Sequence, residues 1–129
     1  MNFKKYSLLV SCFLLIFMYG CNQPAVRDVV NAHINGTGHY HASDVKHIIL
    51  RAGSELGWGM RPEGHGVIIG TIVVRRHRAR IRITYNRHSY SIHYLSSEGL
   101  SYRNGHIHSG YNGWIARLEA RINTLSTTL

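Results

Sequence analysis

The chain has 129 residues, of which 15 are basic and six acidic, and a formal net charge of +9 with its ten histidines neutral. This length suits one small domain rather than two. The charge favours an anionic partner, such as a lipid headgroup, lipopolysaccharide, a cell-wall polymer or an acidic protein surface, although a basic domain without a specific partner has the same composition. With only two cysteines, the chain lacks the pattern of a cysteine-based zinc site or a disulfide framework.

The first 20 residues are typical of a signal peptide. Lys4 and Lys5 form a short positive segment, and residues 8–18 form an apolar run. The run is shorter than the roughly 18 to 20 apolar residues that a membrane-spanning helix needs, and no stop-transfer pattern follows it. We therefore expect residues 1–20 to be removed as a signal peptide rather than kept as a transmembrane segment.

Residues 18–21, Met-Tyr-Gly-Cys, resemble the bacterial lipobox, in which a small residue precedes an acylated cysteine. The resemblance implies cleavage before Cys21 and a lipid anchor on that residue, which holds firmly because each buried methylene contributes about 0.8 kcal/mol. Asn22 stands where Asp commonly signals retention in the inner membrane, so the resemblance implies the outer membrane, facing the periplasm. The alternative is an ordinary secreted protein in which Cys21 is incidental. Loss of Cys12 with the signal peptide and acylation of Cys21 would leave no thiol for a disulfide.

Residues 21–42 contain Pro24, Gly36 and Gly38 and lack sustained periodicity, which predicts a tether between the lipid and the domain. Within this segment, residues 26–34 favour one or two helical turns. The remaining residues, 43–129, are predicted to form a single α+β domain.

A first helix is predicted from Ser43, a good N-cap residue, to about Gly57. Its apolar residues recur at helical spacing, which gives the helix one face that must pack against another element. These residues are Val45, Ile48, Ile49, Ala52 and Leu56.

Three or four strands are expected after this helix. Residues 66–74 are rich in Val and Ile, which suits a largely buried strand, and Gly70 suggests the close approach of another backbone. Residues 79–85 alternate between apolar side chains and Arg or Thr, and residues 90–94 continue the apolar pattern. One face of this sheet is therefore predicted to be core and the other to be rich in arginine.

The short turn after residue 85 also predicts a register. Pairing of Tyr85 with Tyr90 puts the apolar residues of both strands on the same side, as a sheet with one buried face requires. The same register places Ile83 opposite Ile92, and Arg82 opposite His93.

A second helix is predicted near the end of the chain, with Ser109 or Asn112 as its N-cap and with Trp114 and Ile115 on its buried face. Its apolar residues are Tyr111, Trp114, Ile115, Leu118, Ile122 and Leu125. The expected fold is α+β: a small antiparallel sheet of three to four strands, covered on one face by two helices, in the order helix, strands, helix.

Many residues between positions 57 and 125 form a recognisable pattern, of which the Ile-His-x-x-Tyr-Asn-x-Trp-Ile stretch is the most distinctive part. They are Trp58, Gly66, Ile68, Gly70, Thr71, Arg76, His77, Ala79, Ile83, Tyr85, Tyr90, Ser91, Ile92, Tyr94, Ser97, Leu100, Ile107, His108, Tyr111, Asn112, Trp114 and Ile115. Together they resemble a group of small proteobacterial lipoproteins without an established activity. The resemblance implies a location in the cell envelope and supplies no catalytic residues.

The strongest candidates for a binding surface are Arg76, Arg78, Arg80 and Arg82. Residues two apart on a strand share a face and are separated by about 6.5 Å, which suits repeated anionic groups. The alternative is that this is only the solvated face of an amphipathic strand. Nucleic acid is not expected as the partner, because the envelope lacks it and no aromatic residues for base stacking share the arginine face.

Metal binding is the alternative function. His39 with His41, and His106 with His108, form His-x-His pairs that could hold Cu(II) or Zn(II). No nucleophile elbow, zinc-protease helix or phosphate loop is present, so we expect neither an enzyme nor a cofactor. The two functional hypotheses are a membrane-anchored module that binds or scaffolds an anionic envelope component or envelope protein, and a periplasmic metal-binding lipoprotein.

Overall fold

The computed structural model describes residues 22–129, so the predicted signal peptide and Cys21 lie outside the described residues. Five strands and two helices follow one another within that range. In chain order they are β1 (Val29–His33), α1 (Ala42–Glu55), β2 (Gly59–Pro62), β3 (Val67–Val74), β4 (His77–Tyr85), β5 (Ser89–Glu98) and α2 (Ser109–Ser126).

The strands form one antiparallel sheet in the order β1-β5-β4-β3-β2. The predicted α+β class, with two helices and an antiparallel sheet, is confirmed. The predicted three to four strands in the order helix, strands, helix are wrong, because a strand precedes the first helix and a short strand follows it. Both additional strands lie at the edges of the sheet, next to the three strands that the sequence predicted.

The predicted register between β4 and β5 is confirmed. Tyr85 pairs with Tyr90, Ile83 with Ile92, and Arg82 with His93. Further along, the pairing shifts between Arg80 and Ile81, where β5 accommodates the extra residue Leu95 as a bulge.

Both helices cover one face of the sheet, where a single apolar cluster forms the core. Ala79, Ile81 and Ile83 on β4 are fully buried in this cluster, as the alternating pattern predicted. The cluster also contains Val45, Ile48, Ile49, Ala52, Ile68, Ile72, Tyr90, Ile92, Tyr111, Ile115, Leu118, Ile122 and Leu125.

Gly70 has a different role from the predicted one. A Cβ atom at this position would lie 2.9 Å from Ile81 Cγ1 and 3.2 Å from Met60 Sδ. The space above Gly70 is therefore filled by side chains rather than by another backbone. Gly70 and Ile81 are direct partners across β3 and β4, so the glycine makes room for the isoleucine.

The predicted helical turns at residues 26–34 are wrong, because Val29–His33 form the edge strand β1. Val29 and Ile34 are buried in the core, 5% and 1% exposed. The pairing of β1 with β5 shifts between Val29 and Ala32, and Asn31 there has a φ of 51°. This part of the predicted tether therefore belongs to the sheet.

Histidines occupy the positions that precede both helices. His41, rather than Ser43, is the N-cap of α1, where its backbone N–H donates to Asp44 Oδ2 at 2.8 Å. His108, rather than Ser109 or Asn112, is the N-cap of α2, and its Nδ1 accepts a hydrogen bond from Gly110 N–H. Ile115 on α2 is fully buried as predicted, but Trp114 is only partly buried.

An ion pair also connects the two helices. Glu55 at the end of α1 accepts hydrogen bonds from Arg121 on α2 and from Arg51 on its own helix. The hydrogen bond from Arg121 has the larger effect on Glu55, and both bonds lower the pKa of its carboxyl group below the ordinary value. The two hydrogen bonds therefore contribute fully to stability at pH values above the ordinary carboxyl pKa. This contribution is lost as the pH falls through the lowered pKa of Glu55 in the folded protein.

Two buried tyrosines provide a test of the packing between α2 and the sheet. Burial raises the pKa of both Tyr90 and Tyr111, so both hydroxyls are neutral near pH 7. The Tyr90 hydroxyl donates to Asn123 Oδ1 at 2.7 Å, whereas the Tyr111 hydroxyl has no hydrogen-bond partner within residues 22–129. We expect Tyr90→Phe to lower the free energy of unfolding by about 1 kcal/mol, and Tyr111→Phe to leave it unchanged or raise it, because an unpaired buried hydroxyl is unfavourable by about 1–3 kcal/mol.

Urea unfolding of the two phenylalanine variants measures this difference. Each substitution removes one hydroxyl from a buried ring, so each is the control for the other. A larger loss of stability for Tyr111→Phe than for Tyr90→Phe would contradict the hydrogen bonding described here.

Candidate anion-binding face

The side chains of β4 that point away from the helices are arginines. Arg78, Arg80 and Arg82 are exposed and alternate with the fully buried residues of the same strand. Successive arginines are about 6.5 Å apart along the strand. We call this side of the sheet the arginine face.

A fourth arginine joins this face through strand pairing. Arg61 on β2 pairs with Ile69 on β3, and Ile69 pairs with Arg82 on β4. His93 on β5 continues the same row on the other side of Arg82. Since neighbouring strands are about 4.8 Å apart, the backbones of Arg61 and Arg82 are about 10 Å apart.

Ile69 lies between these two arginines and is only 5% exposed, although neither of the two helices formed by residues 22–129 packs on this face. Arginine side chains commonly lay their aliphatic stems along apolar surface while the guanidinium group stays in water. Arg61 and Arg82 are the direct cross-strand neighbours of Ile69, so their stems are placed where they can cover it. The register therefore places one arginine on each side of a single apolar residue.

Hydroxyl groups flank the middle of the arginine row. Arg80 pairs with Thr71 on β3 and with Ser96 on β5. Both neighbours carry a donor that can bind an anion together with the guanidinium group of Arg80. Arg78 has Val73 on one side and Glu98 on the other, so its charge is partly balanced by a cross-strand carboxylate.

Most acidic residues of the domain lie beside basic side chains other than the three arginines of β4. Within residues 22–129, ion pairs join Glu119 to Arg27, Glu55 to Arg51 and Arg121, and Glu63 to Arg61. Asp44 lies 3.7 Å from His41 Nδ1 and Asp28 lies 3.6 Å from His93 Nδ1. None of these pairs includes Arg78, Arg80 or Arg82. These three arginines are therefore available to an external anion, and Arg80 and Arg82 have no acidic residue opposite them in the sheet.

The fourth predicted residue of the row lies outside the strand. Arg76 is exposed in the turn between β3 and β4, one residue before β4 begins. A Cβ atom added to Gly99 would lie 2.6 Å from the Arg76 carbonyl oxygen, which places the turn beside the end of β5. Arg76 therefore belongs to the end of the sheet rather than to the arginine face.

Two of the four candidate metal ligands, His106 and His108, are engaged in local structure. His106 Nδ1 lies 3.0 Å from the Asn104 carbonyl oxygen, and His108 Nδ1 accepts from Gly110 N–H. In a neutral His108 the proton then lies on Nε2, so this cap and metal binding through Nε2 require different tautomers. Within residues 22–129 no three side chains of His, Cys, Asp or Glu are grouped closely enough to hold a metal ion.

The sequence did not indicate Arg61 as part of the arginine face, because no alternating pattern marks β2. It did not indicate Ile69 there either, because β3 is apolar at nearly every position and its two faces cannot be told apart. Only the pairing of Arg61 with Ile69 places the arginine there. The register between β4 and β5, by contrast, could be read from the sequence, and it predicted His93 beside Arg82.

None of the helices formed by residues 22–129 is long and apolar enough to cross a membrane. Comparison of the chain with family models, with curated proteins and with solved structures gave no match.

Proposed function

We propose that this chain is a lipid-anchored envelope protein that binds an anionic envelope component through the arginine face. The lipid is attached to Cys21, and the domain faces the periplasm from the outer membrane. The observation that carries the binding proposal is that Arg78, Arg80 and Arg82 are exposed on one strand and are free of ion pairs within residues 22–129.

The spacing of this face favours a ligand with several negative groups. Arginine binds phosphate and carboxylate through a planar pair of donors, and the backbone positions that carry the arginines recur about every 6.5 Å along β4. Arg61 extends the positive surface across the sheet, because it lies on the other side of Ile69 from Arg82. A polymer or glycolipid that carries repeated phosphate groups fits this arrangement better than a single small anion does.

Polyphosphate is a suitable probe for the arginine face. We expect the variant with Arg78→Ser, Arg80→Ser and Arg82→Ser to bind polyphosphate about tenfold more weakly than the wild type, since each exposed ionic contact contributes about 0.2–1 kcal/mol. Folding should be nearly intact, because surface substitutions change stability by less than about 0.5 kcal/mol each. The measurement is a titration of the lipidated protein in neutral phosphatidylcholine vesicles, with thermal unfolding as the check on folding.

The matched control removes the same charge from other surfaces. Lys46, Arg87 and Arg117 form no ion pair within the described chain, and their replacement by serine also lowers the net charge by three. We expect this variant to retain most of the binding. Wild-type binding should weaken as salt rises, because charges are screened beyond about 8 Å at physiological ionic strength. Equal losses for both triple variants would overturn the proposal, because net charge alone would then explain binding.

A crosslinking pull-down from intact envelopes tests for the natural partner. The wild-type protein and the triple variant of the arginine face are compared in the same strain. A component recovered with the wild type and lost with the variant is the partner proposed here. If the wild type and the variant recover the same components, those components bind the domain outside the arginine face.

A further inference from the structure

The start of the described chain is fastened to the end of the sheet. The Pro24 carbonyl oxygen accepts a hydrogen bond from Ile107 N–H at 3.0 Å. Asn112 holds the next residues with both ends of its amide, because its Nδ2 donates to the Ala25 carbonyl and its Oδ1 accepts from Arg27 N–H, each at 2.9 Å. The backbone of residues 24–27 is therefore held against the folded domain, so this part of the predicted tether is not a free linker.

This clamp limits the distance between the domain and the proposed lipid anchor. Cys21 and Pro24 are three residues apart in the sequence, and an extended chain spans at most about 3.6 Å per residue, or about 11 Å here. A lipid on Cys21 therefore brings the end of the sheet that holds Pro24 to about 11 Å or less from the anchored residue. That distance is close to the electrostatic screening length of about 8 Å.

We call this end of the sheet the anchor end; it consists of residues 22–26, the β3–β4 turn and residues 99–108. Hydrogen bonds and ring stacking hold these parts together. His77, which begins β4, places its Nδ1 2.8 Å from the Gly99 carbonyl oxygen. Its ring stacks on His108, with the ring centroids 6.0 Å apart.

The anchor end exposes positive charge in two turns. Arg75 and Arg76 form the β3–β4 turn, and Arg103 begins a tight turn with Asn104 and Gly105 at its centre. Asn104 and Gly105 have φ angles of 50° and 76°, the backbone that an Asn-Gly hairpin turn adopts. The turn fixes Arg103 next to His106 through two backbone hydrogen bonds of 2.9 Å.

Exposed apolar side chains accompany these charges. The end of β3 exposes Val73 and Val74 by 59% and 37%, and Tyr102 is 47% exposed. The Tyr102 ring stacks on Tyr94 with centroids 4.3 Å apart, so it is held in place at the surface. Aromatic residues with one polar end are favoured at the boundary between lipid and water.

The combination of cations and apolar residues next to a lipid attachment point is typical of a surface that lies on a bilayer. Residues 22–26, the β3–β4 turn and residues 99–108 contain no Asp or Glu, and the neighbouring Glu98 lies opposite Arg78, so positive charge prevails at the anchor end. An open cleft of about 430 Å³ lies beside the chain start, lined by polar residues that can donate to a phosphate. Its lining residues are Asn22, Gln23, Arg103, Asn104 and His106.

We propose that the anchor end rests directly on the bilayer that holds the lipid, with Arg75, Arg76 and Arg103 among anionic phospholipid headgroups and Tyr102 at the interface. This orientation rests on the proposed lipidation of Cys21. It directs β4 away from the membrane, so that Arg82 lies up to about 20 Å farther out than Arg76. The arginine face is then exposed to the periplasm, and the anchor end is in contact with the membrane.

The test places a fluorophore at each end of the sheet. The full chain is expressed with Asn104→Cys at the anchor end or, as the control, with Arg87→Cys in the β4–β5 turn at the opposite end. Each labelled lipidated protein is reconstituted into vesicles of phosphatidylethanolamine and phosphatidylglycerol that contain a lipid with a nitroxide on its headgroup. Because the two positions are separated by the length of β4, about 30 Å, only a label near the headgroups should be quenched.

We expect strong quenching of the label at position 104 and little quenching at position 87. Quenching at position 104 should fall severalfold in a variant with Arg75→Ser and Arg103→Ser, and in vesicles of phosphatidylcholine alone. A variant with Arg80→Ser and Arg82→Ser should keep the quenching while binding polyphosphate severalfold more weakly, which separates this orientation from the proposed function. Equal and weak quenching at both positions in protein that floats with the vesicles would overturn the orientation alone. Protein that does not float with the vesicles would overturn the anchor and the orientation together.

Discussion

Replacing Ile81 with alanine is expected to lower the free energy of unfolding by about 4–5 kcal/mol, near the upper end of the range for buried isoleucines. Ile81 is fully buried and occupies the space above Gly70, which has no side chain to move into the gap. The cavity therefore cannot close easily, and the cost of a cavity rises with its remaining volume. Urea unfolding followed by circular dichroism measures the change.

The neighbouring position on β4 provides the control. Arg80 lies on the opposite face of the same strand, and we expect Arg80→Ala to change stability by less than about 0.5 kcal/mol. Two adjacent substitutions in one strand then differ by roughly 4 kcal/mol because one side chain is in the core and the other is in water. Similar effects of the two variants would contradict the two-faced sheet.

A double-mutant cycle tests the contact itself. Gly70→Ala alone should destabilise the domain, because its Cβ would lie 2.9 Å from Ile81 Cγ1. In the Ile81→Ala background, Gly70→Ala should instead recover part of the lost stability, since the new methyl group enters the vacated space. The two substitutions are thus expected to be strongly non-additive, as residues in contact are. Additive effects would show that the two positions do not share this space.

Cys21→Ala is expected to abolish the incorporation of labelled palmitate into the chain. The thiol of Cys21 is the proposed acceptor of the acyl chains, and alanine provides no atom to which they can be attached. Cys12→Ala is the matched control, because it removes the other cysteine of the chain from within the predicted signal peptide. This variant should be labelled like the wild type.

The outcomes of this labelling experiment separate two parts of the proposal. Labelling that persists in Cys21→Ala would contradict the lipid anchor. Fractionation of the labelled wild type with the inner membrane would overturn only the proposed outer-membrane location, which follows from Asn22 at the next position. The domain and its arginine face would be unaffected by that result.

The parts of the fold that could be predicted from the sequence are those with a repeated pattern. Alternation on β4 and β5 gave the buried face, the exposed arginines and the register from Tyr85 and Tyr90, because a shift by one residue would bury arginine. Both helices were indicated by apolar residues at helical spacing. Their N-caps were not, since a histidine can act as a cap only when its backbone and ring are suitably placed.

The two edge strands lacked such a pattern. On β1 the pairing is interrupted at Asn31, so its few residues do not alternate regularly between core and solvent. On β2, Gly59–Pro62 contain glycine and proline, which sequence reasoning assigns to turns. Arg61 could therefore be placed on the arginine face only after the pairing of β2 with β3 was known. The clamp of Pro24 against Ile107 joins distant parts of the chain, for which a single sequence contains no periodic signal.

The order in which the chain is synthesised gives the Asn112 clamp a further consequence. The hydrogen bonds from Asn112 to Ala25 and Arg27 join residues 87 and 85 positions apart in the sequence. Contacts between such distant residues form late, because a long loop must close before they can be made. The residues just after the predicted cleavage site therefore have no native partners until nearly the whole chain has been made. During that interval the predicted processing site is adjacent to unfolded chain, so folding does not compete with access by the enzymes that would cut and acylate it.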